Sequence, residues 1–483
     1  MNEWLKMRIT NRHEFARIST KQIAAAFALI VLSLGLSLAK AATAPTTRQS
    51  LDSSRLALAM DYGNPNAHLA LAKSLNGQGN ALTAFLICEH ARALFGEEAF
   101  VSSFDIVFRG HVTDVLFHAR KQMLQTAISL APRSVEPLKE MAELYAAHGE
   151  PADAVSVLRR AIGIAPDDYT LVESLQLDLQ TAGQKADAQA MLNDWCRDHP
   201  GTPPAWERRV SEALSQNDES ASALLDEAIA KFPADGQLHL MRGRFDEEQK
   251  PDDAEADFIA AADFAATSAS AQGAAGRFFL KTRHDPDRAL KYYLAAYFLD
   301  PDFNDWESVD QRVGDCAHEV TQERMTAAKA SAAGLATLIA DPNPLVEIEA
   351  MSQISGEWDD RAQDQLLGLT ISDCPEVRQV SIQLLIAHPA SLVGQKLEGM
   401  VRNQNPWTRA AAVSVLAGTR KTAALDQLSP LLADPSVLVR FTCATNLLDP
   451  DNGGKAIVIA SMRKDPCEWL RNVVAGELAQ GSR

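Results

Sequence analysis

This 483-residue chain contains no CxxC pair, no CxxCH and no complete HExxH. Its six cysteines, Cys88, Cys196, Cys316, Cys374, Cys443 and Cys467, are scattered. Covalent haem attachment is excluded, and zinc lacks the paired thiolates it usually takes. Cys88 and Cys443 fall in apolar helical stretches, where cysteine acts as a small hydrophobe. Structural thiols are expected, although an even count in an exported chain permits disulfides. Aromatics are only 6% of the residues and runs of alternating Val, Ile and Thr are rare, so few strands are expected. Positive charge is short as well: 46 basic against 63 acidic residues give a net charge of -17. An acidic surface repels phosphate backbones, and basic runs stop at two, as at Arg159 and Arg160. Nucleic acid is therefore not an expected partner.

Catalytic motifs are missing too. GxSxG, GxGxxG and a Walker-type lysine loop do not occur. His318-Glu319 opens like HExxH, but Gln322 stands where the second His is required. Asp300, Asp302 and Asn304 open like a calcium loop, yet Asp305 replaces the needed Gly and Gln311 the bidentate Glu. The expectation is a protein that is not an enzyme, with no catalytic residue, metal or cofactor. Asp246, Glu247, Glu248, Asp252, Asp253, Glu255 and Asp257 form an acidic cluster with only Lys250 opposing it in sequence. It reads as a solvated turn between helices, the carboxylates suiting the following helix N-terminus.

What is present begins at the N-terminus. Residues 1–22 carry Lys6, Arg8, Arg12, Arg17 and Lys21, and form a basic tail or signal n-region. The segment 23–41 holds an uncharged run from Ile23 to Ala39, at the short limit for a membrane span. Positive charge before such a run predicts that the rest of the chain is translocated. Ala39-Lys40-Ala41 fits a signal-peptidase site. Cleaved signal and retained anchor both remain open; a lipoprotein anchor is not expected, because no Cys comes after the run. The expected location is outside the cytoplasm, across a bacterial inner membrane: periplasmic, or anchored in that membrane. Contact with membrane is expected only through the N-terminal segment, if it is uncleaved.

Residues 42–64 read as a linker and capping helix. From residue 65 to 310, short amphipathic helices alternate with Gly or Pro. Pro132, Pro166, Pro200 and Pro233 recur at an almost constant interval, and Pro301 stands two intervals further on. Twelve positions before these prolines stand Arg120, Ala154, Ala188, Ala221 and Ala289. Small residues on one helix let another approach, and proline ends the second helix of each pair. Each pair leaves an apolar face that only a stacked neighbour covers. The clearest unit is Leu138, Met141, Ala142, Tyr145, Gly149, Ala154, Leu158, Ala161 and Pro166, and it resembles the tetratricopeptide repeat, as does the period of about 34 residues. That resemblance implies a groove lined by the first helix of each pair, here Glu136, Lys139, Glu143 and Ala146. Chaperone-binding members of the family clamp a peptide carboxylate with Lys and Asn; Lys139 matches one position, but Glu143 stands in place of the Asn. The unit at about 99–132 is degenerate and rich in Phe.

After transition helices at 311–340, a second period runs from 341 to 483. Arg378, Arg409, Arg440 and Arg471 are separated by one constant interval of thirty-one positions. They come after Pro375, Pro406, Pro435 and Pro466, with Glu347 in the first Arg slot. Asp or Asn before Pro is a good helix start. Asp/Asn-Pro, then Arg, then an Ala-rich helix resembles HEAT-like repeats, which implies an Arg ladder pairing with capping carboxylates; the alternative is an Arg row that binds an anionic ligand.

The expected fold is thus all-α: an α-solenoid of tetratricopeptide-like hairpins followed by a HEAT-like array, with an N-terminal signal or anchor helix. The expected function is a non-catalytic scaffold of the cell envelope that binds peptides or protein subunits in solenoid grooves. The alternative is an accessory subunit of an envelope enzyme, secretion or electron-transfer complex.

Overall fold

The computed structural model describes residues 48–109, 114–216, 220–304, 308–329, 335–353, 360–388 and 391–480. The chain divides into two compact units, 1–53 and 54–483. Of the first unit only 48–53 are described, as the start of helix α1 (Arg48–Met60). The basic segment and apolar run at 1–41 lie outside the described residues. Among the described residues no strand forms, and no helix is long and apolar enough to cross a membrane.

Helices α2 (Pro65–Asn76) and α3 (Ala81–Phe95) form the first hairpin. After α4 (Glu97–Phe104), a π-helical turn at Asp105–Arg109 and α5 (Asp114–Leu130), hairpins succeed one another in series. They are α6 (Glu136–Ala147) with α7 (Pro151–Ile162), α8 (Tyr169–Thr181) with α9 (Lys185–Asp198), and α10 (Pro203–Ser215) with α11 (Ala221–Lys231). Next come α12 (Gly236–Asp246) with α13 (Pro251–Phe264), and α14 (Ala269–Lys281) with α15 (Pro286–Leu299). Each helix from α5 to α15 packs on the next. The repeated alanines explain the close approach: Ala154, Ala188, Ala221, Ala254 and Ala289 are at most 1% exposed. Gly79, Gly149 and Gly183 turn the chain between paired helices at φ 85°, 82° and 78°, a region that disfavours any Cβ.

Helix α16 (Val309–Lys329) bridges the arrays, packing on α15 and on α17 (Pro344–Gln353). The second array continues with α18 (Asp360–Leu369), α19 (Pro375–Ala387), α20 (Ser391–Met400), α21 (Pro406–Arg420), the short α22 (Leu425–Leu428), α23 (Val437–Leu448), α24 (Lys455–Met462) and α25 (Glu468–Gln480). Helices α17, α19, α21, α23 and α25, those beginning at or beside the repeated prolines, pack in one row.

The first hairpin departs from this serial order. Helix α3 packs against α15, at the far end of the first array, and against α19 in the second. Tyr297 donates to Glu89 at 2.9 Å and its ring meets Phe85 edge-on at 4.8 Å. Phe108 stacks on Phe298 at 5.5 Å, and Arg109 reaches Asp300 at 2.6 Å. The Phe-rich stretch is degenerate as a repeat because Phe104 and Phe108 cover α15 rather than a following hairpin. Asp300, considered as a calcium ligand from sequence, is taken up by Arg109.

Candidate functional site

The row of arginines is built by one rule. Each Arg lies on the first turn of its helix and folds back, its Nη1 donating to carbonyls six and five residues earlier. For Arg409 these belong to Asn403 and Gln404, for Arg440 to Asp434 and Pro435, and for Arg378 to Ser372 and Asp373. Arg471 donates to Asp465 in the same way. The residue six earlier is also a cap: the side chains of Ser372, Asn403, Asp434 and Asp465 each accept from the backbone N–H two residues on. These positions form a further row at the same interval, beginning at Asp341, which caps Asn343.

Successive units are then tied by charge. Arg409 grips Asp434 through Nε and Nη2 at 2.8 and 2.7 Å, and Arg440 grips Asp465 through the same two nitrogens at 2.7 and 3.1 Å. The expected ladder thus exists at these steps. At Arg378 it stops, because the residue in register is Asn403, which caps but carries no charge. The Arg378 guanidinium instead lies over the Trp407 ring, 4.6 Å from its centroid. In the first unit Glu347 holds the Arg slot, and burial, with Asp341 nearby, pushes its carboxyl up to about 7.

The end of α1 and the residues just after it pack onto the same face. Arg55 grips Asp373, its Nε at 2.6 Å from Oδ1, and the Arg55 carbonyl accepts from the Trp407 indole at 3.0 Å. Ser436 donates to the Ala59 carbonyl at 2.6 Å. Tyr62 stacks on Phe441 at 5.6 Å and meets Trp469 at 6.1 Å. Gly63 has no room for a side chain: a Cβ there would lie 2.7 Å from the Trp469 ring. His68 bonds the Tyr62 carbonyl at 2.9 Å, and the Tyr62 hydroxyl meets His90 Nε2 at 3.2 Å. Burial lowers both imidazoles, His68 to about 3 and His90 to about 4, and Arg378 adds to the effect. Both rings are neutral at pH 7.

These elements line a half-open cavity of about 570 Å³ between the first hairpin and helices α19, α21 and α23. Its walls mix aromatic and aliphatic groups (Trp407, Phe441, Ile382) with hydroxyls and amides (Thr442, Gln383). Arg378 and His90 are its titratable nitrogen groups, and among the described residues no carboxylate lines it.

The residues expected to form a groove lie elsewhere. On α6, Glu136 and Glu143 are exposed while Lys139 and Ala146 are half-buried, and none of them lines this cavity. A depression of the first array, about 350 Å³, is lined by residues of α8, α9, α10 and α12, among them Tyr169, Gln176, Glu207 and Met241. Burial, then Asp235 and Glu173, push the Glu207 carboxyl up to about 8. The acidic cluster at 246–257 is a solvated turn only in part: Glu248, Asp252 and Asp253 are exposed, the last two in the first turn of α13, while other members are taken up by partners. Asp257 is 2% exposed and bonds His239 and Arg242, Glu247 bonds Arg277, and Glu255 bonds Arg283 and Arg288. Those arginines come from neighbouring helices and lie outside the local stretch of sequence. Burial opposes ionisation of Asp257, but the bonds from His239 and Arg242 outweigh it and hold its carboxyl below the usual range. Among the described residues no His, Cys, Asp and Glu cluster suits a metal. Five of the six cysteines are buried and all are free thiols.

No family model matches the chain, and no curated protein matches it. Solved structures similar to it include YrrB, a TPR protein with an unusual peptide-binding site, at 15% identity over 40% of this chain and 97% of that one, TM-score 0.22. Human IFIT1, as a dimer with PPP-AAAA, is 13% identical over 77% of this chain and 92% of its own, TM-score 0.27. Yeast Tom70 is 12% identical over 87% and 97%, TM-score 0.20. The tetratricopeptide-like and HEAT-like description of this chain rests on its own repeat periods and helix packing.

Proposed function

We propose that the protein is an interaction scaffold that acts by binding polypeptide rather than by catalysis. An extended peptide or a protein subunit would dock along α19, α21 and α23, over the cavity walled by Trp407 and Phe441. The observation that carries this reading is that cavity: about 570 Å³ of mixed aromatic and amide surface, set on a rigid row of packed helices. Sites of this size and character bind organic groups by apolar contact and are oriented by a few polar ones. Described walls without a carboxylate favour recognition over acid–base chemistry.

The test is photocrosslinking in cells from Gln379 and Gln383, which are exposed on the cavity rim, with Glu143 in the first array as the comparison. A discrete polypeptide adduct from the rim positions, lost when Trp407 is replaced by Ala, supports the reading. Adducts equal at all positions, or unaffected by the Trp407 change, overturn it. We infer also that the repeats are exported, from the basic residues ahead of the apolar run at 23–39. A fusion of residues 1–64 to a reporter active only outside the cytoplasm checks this, and an inactive, cytoplasmic fusion counts against it.

A further inference from the structure

The arginine ladder has one broken step, and the arginine of that step, Arg378, lines the cavity. In Arg409 and Arg440 the nitrogens Nε and Nη2 hold an aspartate of the next unit. In Arg378 only Nη1 has acceptors, the carbonyls of Ser372 and Asp373. Its Nε and Nη2 make no hydrogen bond among the described residues. Asn403 supplies the cap at this step, accepting from the Asn405 N–H at 2.8 Å, and withholds the charge. The nearby acids do not replace it. Asp373 is gripped by Arg55, and Glu376 accepts from the Cys374 thiol at 3.1 Å; neither lines the cavity. A partly buried guanidinium with its two-pronged face unused is an open site for a planar anion.

We propose that this cavity binds an organic monocarboxylate, whose carboxylate completes the ladder on Nε and Nη2 of Arg378 while its apolar body lies against Trp407 and Phe441. The charge count selects a monoanion: Arg378 is the single permanent cation in the described walls, whereas a phosphate dianion calls for a second. The aromatic walls select an acid with an apolar or aromatic body over a small polar one. The inference goes beyond the scaffold reading, because the acid is either a free small molecule or the C-terminal end of a peptide.

Calorimetric titration of the full-length protein separates these sources. The probes are 4-phenylbutyrate and its neutral amide, and N-acetyl-Ala-Ala-Phe as the free acid and as the C-terminal amide. At least one acid is expected to bind, about tenfold or more tighter than its amide. Binding of the butyrate alone marks a small-molecule site; binding of the peptide acid alone marks a chain terminus. Arg378→Gln is expected to abolish the preference for acid over amide. Asn403→Asp guards against misfolding: it places an internal carboxylate on the open step, so the thermal midpoint is expected to hold or rise while acid affinity falls about tenfold. Acid and amide binding equally, no acid binding at millimolar concentration, or an Asn403→Asp protein that binds acid like the parent would overturn the proposal. A polypeptide adduct at Gln383 together with equal binding of acid and amide would leave the scaffold standing and remove this inference alone.

Discussion

In the first array, neighbouring helices meet through alanines. Ala154, Ala188, Ala254 and Ala289 are buried, and their short side chains leave room for the paired helices to approach. The ion pairs there keep to no repeat: Arg242 with Asp257, Arg283 with Glu255 and Arg197 with Asp194 share no register. In the second array the reverse holds. The polar contacts recur in register, from cap to carbonyl to guanidinium, and at Arg409 and Arg440 on to the next cap, and the apolar helices vary around them. One array is specified by volume and the other by a hydrogen-bonded chain. A repeat specified by volume loses most from a larger side chain; a repeat specified by a charged ladder loses most from a missing rung.

Substitutions test that contrast. Arg440→Ala strands Asp465, whose side chain is 3% exposed, and should cost about 3–5 kcal/mol in urea unfolding. A loss under about 1 kcal/mol would mean that the ladder is ornament. Ala154→Leu in the first array should cost about 1–3 kcal/mol by overpacking, and hydrogen exchange should place the loosening in α6 and α7 rather than in the second array. Gly149→Ala meets no neighbour within 4 Å but must hold φ at 82°, so a loss of about 1–2 kcal/mol is expected from backbone strain alone. The smallest effect concerns pH. His68 and His90 titrate near 3 and 4 when folded, against about 6.5 unfolded. Between those limits the unfolded chain binds more protons, so stability should fall as pH drops below about 6.5, by roughly 1 kcal/mol per histidine near pH 5.5. His90→Gln should flatten this slope on acid titration of the thermal midpoint. An unchanged slope in the double variant with His68→Gln would show that neither ring is kept neutral by burial.

The helical hairpins were legible because their packing repeats: Ala154 to Ala188 and Arg409 to Arg440 reappear at fixed intervals, and a period survives in one sequence. The return of the first hairpin was not legible. Tyr297 and Glu89 are 208 residues apart and belong to no period. The excess of phenylalanine at 100–108 was its one trace, visible as a poor repeat rather than as a contact. The expected groove residues on α6 were placed by family geometry, and none of them lines the cavity at the second array. The cavity that exists is assembled from Tyr62, His90 and the second array, which only the fold brings together. Asn403, by contrast, could have been read directly: Asp341, Ser372, Asn403, Asp434 and Asp465 stand in register, and the uncharged members flank Arg378.

The seat of the first hairpin sets a timetable for biosynthesis. Arg55 awaits Asp373, the backbone at Arg55 awaits Trp407, and Ala59 awaits Ser436, at separations of 318, 352 and 377 residues. A chain made from its N-terminus displays Phe85 until Tyr297 follows some two hundred residues later, and Tyr62 until Trp407 and Phe441 follow more than three hundred later. Closing so long a loop is slow, so the earliest helices to leave the ribosome are the latest to acquire their neighbours.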